Sequence, residues 1–150
     1  MMDEEQRDKI LSIIDNVNDM TIATVRDDGY PQATTVSFVH DGLTIYFMTT
    51  ADSQKAQNIA KNNKVSLTIN RDYKNNWDAI EGLSLGGIAI PVLDVNEQEQ
   101  MGMALLKKFP QAEKYAKDFD VAPAFFRVEP QVISLLDYKK GFGHTETIEV

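Results

Sequence analysis

Residues Gly42–Ile69 read GLTIYFMTTADSQKAQNIAKNNKVSLTI, and the hydrophobic period changes twice along them. Leu43, Ile45 and Phe47 alternate with Thr44, Tyr46 and Met48, a period of two in β-branched and aromatic residues that predicts a strand. Thr49-Thr50-Ala51-Asp52-Ser53 follows, with hydroxyls and a carboxylate where a helix needs an N-cap. Ala56, Ile59 and Ala60 then recur at helical spacing, an apolar stripe narrow enough for a helix lying on a sheet. Asn62-Asn63 stops that helix, and Val65–Ile69 resumes the period of two.

A strand that hands a hydroxyl-rich turn to a helix start makes an anion site. The first-turn N–H groups lack partners, the dipole is positive there, and hydroxyls complete the hydrogen bonding. Lys55 adds a full charge in that first turn. A lysine there opposes the dipole, so it either binds an anion or is an ordinary solvated side chain beside the cap.

Outward from this stretch the chain alternates strands with Asp-Gly turns. Asp3–Asn18 predicts a first helix, with Ile10, Ile13, Ile14 and Val17 on one face and acids at its start. Met20–Arg26, Gln32–Val39 and Leu43–Met48 predict a three-stranded antiparallel meander, joined at Asp28-Gly29 and Asp41-Gly42. Val65–Asn70 is a fourth strand, and Arg71–Asp78 a polar loop carrying the only tryptophan. Trp77 is either a lid over a ligand or folded back on the core. Gly82–Val92 is a fifth strand, in which Gly86-Gly87 signals a bulge or a close backbone approach. Asp94–Lys108 and Pro110–Asp118 predict helices, with Met101 and Met103 as core filler. A last hairpin, Ala124–Val128 and Val132–Leu136, turns at Glu129-Pro130-Gln131, and Tyr138–Val150 is a tail. The expected architecture is mainly β (α+β), an antiparallel barrel of six to seven strands with flanking helices, in one domain spanning 1–150.

Composition removes several chemistries. The chain has 150 residues and no cysteine, so disulfides, thiolate metal sites and a cysteine nucleophile are excluded. Two histidines, His40 and His144, cannot build a structural zinc site, and no metal site is expected. Hydrolase elbows and phosphate-binding glycine loops are absent from the sequence. The net charge of −8, with no dense basic run, argues against nucleic acid and anionic membranes as partners. No apolar run reaches the length of a membrane span, and the acidic start MMDEEQRDKI is unlike a signal peptide, so a cytoplasmic protein is expected. His40 reads as a surface residue beside a turn. His144, in Gly141-Phe142-Gly143-His144, belongs either to a frayed end or to a packing or ligand contact. With no self-sufficient catalytic group in view, a cofactor is expected to carry any difficult chemistry.

The order Asp28-Gly-Tyr-Pro31, Ala33–Phe38, Phe47–Thr50, Ser53-Gln54-Lys55-Ala56 and Leu135–His144 resembles the pyridoxamine 5′-phosphate oxidase-like family of FMN-binding split barrels. The resemblance covers roughly Met20 to His144. It implies a split β-barrel, a homodimer, and FMN held at the interface between two copies. It further implies that Ser53, Gln54 and Lys55 form the phosphate-binding helix start, while Thr34, Thr35, Val36, Thr49 and Thr50 line the ribityl chain and ring. From the partner, the tail carrying Tyr138, Phe142 and His144, or else Trp77, would cover the ring edge.

Gln54 stands where pyridoxamine phosphate oxidases usually carry arginine, and the chain ends TETIEV where they have an Arg-Leu-x-Pro-like segment. The resemblance therefore implies a small FMN-dependent reductase or oxidase acting on another small molecule, with NAD(P)H as a candidate partner. The alternative is a split-barrel module that binds heme, a deazaflavin or FMN without turnover, with His40 or His144 as the candidate heme ligand.

Overall fold

The computed structural model describes residues 1–116 and 122–150. Helix α1 (Glu4–Asp15) opens with a capping box in which the Asp3 carboxylate accepts from Gln6 N–H and the Gln6 side chain accepts from Asp3 N–H. It buries Ile10, Ile13 and Ile14 against the sheet. The strands are β1 (Asp19–Val25), β2 (Pro31–Ser37), β3 (Val39–Asp41), β4 (Thr44–Thr50), β5 (Lys64–Asn70), β6 (Glu81–Pro91), β7 (Pro123–Asp137) and β8 (Thr145–Glu149). Helix α2 (Gln54–Lys61) follows β4, while α3 (Val95–Lys108) and α4 (Ala112–Ala116) separate β6 from β7. The expectation for Lys117 and Asp118 lies outside the described residues.

The strands join in the order β2-β1-β5-β6-β7-β4-β3, all antiparallel, with β8 added on β7. Only Phe38 separates β2 from β3, yet these strands stand at the two ends of that order. The sheet therefore has to curl until its ends meet, and that curl is the barrel. Phe38 is fully buried at the corner. The Lys108 ammonium of α3 donates to the carbonyls of Phe38 (2.9 Å) and Val17 (3.0 Å) and sits 4.1 Å above the Phe38 ring.

Closure is incomplete. The short β3 pairs only with Thr44–Tyr46, leaving Phe47–Thr50 with an open backbone edge that approaches the open edge of β2. This is the split of the barrel. On the outward face of the sheet, Thr35, Thr21, Thr68, Ser84, Ser134 and Thr147 stand opposite one another on six successive strands. They form a continuous row of short hydroxyl side chains.

Several expectations change. Gln32–Val39 is not one strand of a meander: it breaks at Phe38, so β2 pairs with β1 and β3 with β4. The expected last hairpin is the single strand β7, and Pro130 fits because Gln131 is the extra residue of a bulge opposite Gly86/Gly87. The glycine signal was correct in kind. A Cβ on Gly87 would lie 2.7 Å from the Glu129 carbonyl oxygen and 2.8 Å from Val128 Cγ1. The tail is ordered as a 3-10 turn (Tyr138–Lys140) and β8, which adds to the seven strands of the main path by pairing with β7. Met101 is core but Met103 is exposed, and in α2 Ala60 is exposed while Asn58 is buried. His40 is no loose surface residue: its Nδ1 meets the Gly42 carbonyl at 2.9 Å and its Nε2 meets Asp15 Oδ1 at 2.6 Å. No helix among the described residues is long and apolar enough to cross a membrane.

Candidate functional site

The split gathers most of the residues singled out in the sequence. Strand β4 carries Thr49 and Thr50 to its end, and Ser53 caps α2 in an extended conformation with its Oγ accepting from Ala56 N–H at 3.1 Å. Thr49 Oγ1 donates to the same oxygen at 3.0 Å, which leaves the Ser53 hydroxyl proton free to point outward. The cap uses the N–H of Ala56, and Gln57 N–H returns to the Ser53 carbonyl; the amides of Gln54 and Lys55 take no part in it.

Lys55 is half-buried and has no carboxylate partner among the described residues. Burial lowers its ammonium pKa below the ordinary lysine value. An unpaired cation held out of water in the first turn of a helix is unfavourable on two counts, and a bound anion removes both.

Gln54 takes no such position. Its amide donates to Asn58 Oδ1 at 2.7 Å, and Asn58 Nδ2 donates to Thr24 Oγ1 of β1 at 2.9 Å and to Gln32 Oε1 of β2 at 3.2 Å. This chain, buried at the Asn58–Thr24 bond, ties α2 to β1 and β2. Sequence reasoning missed it, because an asparagine at a helical position that should be apolar was its only signal.

Strand β2 supplies the opposite wall. Thr34 and Val36 face the barrel interior, half-buried, while Thr35 faces outward and is exposed. A period of two requires this division, so the three share a strand but not a face. The outer backbone edge of β2 has no strand partner.

Trp77, Tyr138 and Phe142 assemble elsewhere. The Trp77 and Phe142 ring centroids are 5.8 Å apart, and Phe142 meets Tyr138 edge-on at 5.4 Å. Trp77 is 62 % exposed and Phe142 73 %, so Trp77 is not folded back on the core. The cluster stands past the Asp137 end of β7, whereas Thr50 pairs with Pro123 at the other end of that strand. His144 is half-exposed, with Nε2 3.2 Å from Glu146 Oε2.

An open strand edge, a hydroxyl-capped helix start and an ammonium with no carboxylate partner among the described residues meet where the barrel is split. The model of the family "Pyridoxamine 5'-phosphate oxidase" matches residues 6–136, and the chain belongs to that family. General stress protein 26 of Bacillus subtilis (strain 168) is 33% identical over 79 residues, covering 53% of this chain and 56% of that protein. The aligned part thus spans little more than half of that relative. Among solved structures, a heme binding protein from Mycobacterium smegmatis superposes with TM-score 0.82 at 19% identity, over 99% of this chain and 60% of that one. General stress protein 26 from Bacillus anthracis str. Sterne gives 0.71 at 19% identity, over 96% and 98%. At such identities the structures speak for the fold alone.

Proposed function

We propose that the chain binds FMN at the split and acts as a small FMN-dependent oxidoreductase. The observation that carries this reading is Lys55, a half-buried ammonium without a carboxylate partner at a hydroxyl-capped helix start. FMN supplies the redox chemistry at its ring when bound. The chain's own residues bind and orient it. Lys55, the Ser53 hydroxyl and the amides of Gln54 and Lys55 would hold the phosphate. Thr49 and Thr50 offer hydroxyls beside it. The open edge of β2 at Thr34–Val36 offers backbone donors and acceptors to a heterocycle that carries both.

The substrate on this reading is a small molecule other than pyridoxamine phosphate, because Gln54 brings no second cation and its amide is committed to Asn58. NAD(P)H is the electron donor to screen first. Two copies complete each site: the aromatic cluster stands beyond the opposite end of β7 from α2, so a second copy supplies it. The small outward hydroxyls around Thr21 and Thr68 leave the sheet face flat enough for close approach.

Heme binding is the second reading, favoured by the half-exposed His144 beside Phe142. His40 is already engaged on both ring nitrogens. A visible spectrum of the purified chain, repeated after FMN addition and desalting, separates the readings. Retained flavin bands support the first, a heme band lost in His144→Ala supports the second, and a colourless protein overturns both. Lys55→Ala removes a charge-assisted contact worth about 1.5–3 kcal/mol, so FMN affinity falls roughly 10- to 100-fold.

A further inference from the structure

We propose that Gln32 of β2 is a ligand-contacting residue of the split and donates through its side-chain amide to the phosphate of the bound flavin. This role rests on the flavin reading and supplies a donor which that reading lacks. Gln54 brings no cation, and its amide is committed to Asn58. The further donor comes from the sheet instead of the helix.

Along β2 the period of two puts Gln32 on the same face as Thr34 and Val36, and all three are half-buried. Gln32 Oε1 accepts from Asn58 Nδ2 at 3.2 Å, and Gln32 Nε2 has no hydrogen-bond acceptor among the described residues. The relay runs through Asn58, which is 2% exposed. Its two N–H groups go to Thr24 and Gln32, and its Oδ1 receives Gln54. Gln32 is thereby left with two N–H donors. The reverse sense would close the same relay but turn the Gln32 oxygen outward, and a phosphate in the split selects the donor sense.

The same relay sets Gln32 beside Lys55. Asn58 follows Lys55 by three residues, which makes them neighbours on the helix surface, with Cβ atoms about 5–6 Å apart. Gln32 is bonded to Asn58 and so stands on the β2 side of the half-buried Lys55. The Ser53 hydroxyl, the first-turn amides and Lys55 hold an anion from the helix side alone. Gln32 closes on it from the sheet. A neutral amide suits this position, because it donates to the phosphate without burying a second charge. The Asn58 bond to Thr24 keeps the helix and the sheet at a fixed spacing, so both sets of donors meet one phosphate.

Fluorescence titration of the full chain with FMN and with riboflavin, which lacks the phosphate, tests this. In Gln32→Met the FMN affinity should fall at least ~10-fold, the loss of one charge-assisted hydrogen bond, while riboflavin affinity stays within about 2-fold. Gln32→Glu keeps an acceptor for Asn58 Nδ2, so its melting temperature should hold. It sets a carboxylate against the phosphate, and should lose FMN by at least as much. In the unmutated chain the side-chain N–H resonances of Gln32 should move further on adding FMN than on adding riboflavin, a readout that needs no variant. Folded variants that keep the preference for FMN, equal losses for both flavins, or Gln32 resonances that respond alike to both overturn the role of Gln32 and leave the flavin reading standing. An unmutated chain that binds neither flavin overturns both.

Discussion

Asn58 of α2 donates to Thr24 of β1 at 2.9 Å, and both side chains are 2% exposed. This is the buried bond that fixes the helix start of the split on the barrel wall. Leucine at position 58 would strand the buried Thr24 hydroxyl while gaining apolar burial, whereas the exposed Gln54 amide would turn to water. Asn58→Leu is expected to cost about 1–3 kcal/mol, the price of unsatisfied buried polar groups. At roughly 2–4 °C per kcal/mol for a chain this size, thermal denaturation should show a drop of several degrees. FMN retention should fall with it, since Ser53 and Lys55 ride on the same helix. An unchanged melting temperature would show that the bond stabilises nothing.

Glu81 sets the acid limit of the fold. Burial disfavours its charged form, but the ammoniums of Lys9 and Lys139 outweigh that and hold its pKa below the ordinary value of 4.5. A depressed folded-state pKa contributes stability that is present above the unfolded value and is lost as pH falls through the folded one. Urea denaturation from pH 7 to pH 2.5 should therefore show stability declining below about pH 4.5, with Glu81→Gln flattening that decline. Lys9→Met should cost about 1–2 kcal/mol at pH 7, less than a fully buried broken pair, because Lys139 remains and Lys9 itself is partly exposed. A Glu81→Gln chain with the same acid profile would remove this residue from the account.

The local grammar of the chain was legible and its long-range pairing was not. Ser53 as N-cap, the Asp-Gly turns and the Gly86-Gly87 irregularity each follow from chemistry within a few residues. That β2 and β3 are a single run broken at Phe38 does not, since the alternation passes through Phe38 and only barrel closure decides where pairing switches sides. Pro130 read as a turn because proline usually ends a strand, yet a bulge at Gln131 absorbs it. The site divided in the same way. Ser53 and Lys55 carry their signal in sequence, whereas Asn58 and Gln32 acquire meaning only from what surrounds them.

Gly87 and Gly86 separate two meanings of a strand glycine. A methyl group at Gly87 would press on the Glu129 backbone at 2.7 Å, which cannot yield without moving β7. At Gly86 the nearest atom is Val132 Cγ1 at 3.2 Å, a side-chain methyl that can turn aside. Gly87→Ala is expected to cost about 1–3 kcal/mol by overpacking, and Gly86→Ala well under 1 kcal/mol. Parallel melting curves check the difference, and equal shifts would contradict it.

Tyr46 donates to Glu97 Oε2 at 2.9 Å, and Glu97 also receives Arg127. Burial, then the hydrogen bond to Glu97, pushes its phenol up from 10.0 to about 12. A raised folded-state pKa contributes stability that is complete below pH 10 and is lost as pH rises toward 12. Absorbance at 295 nm should show one tyrosine titrating last in the folded chain, and Tyr46→Phe should remove that step.

The placement of α2 and the aromatic cluster at opposite ends of β7 gives the strictest test of the proposed shared site. If one copy supplies Lys55 and the other supplies Trp77, then Lys55→Ala and Trp77→Ala homodimers each damage both sites. Mixing the two chains under exchange conditions produces heterodimers. In these, one site carries both substitutions and the other carries neither. FMN retention should therefore recover toward about half per mixed dimer, against near-background levels in either parent. A site built within one chain cannot be rescued this way. Failure to recover, in a sample where exchange is demonstrated by differential tagging, would place both halves in a single subunit.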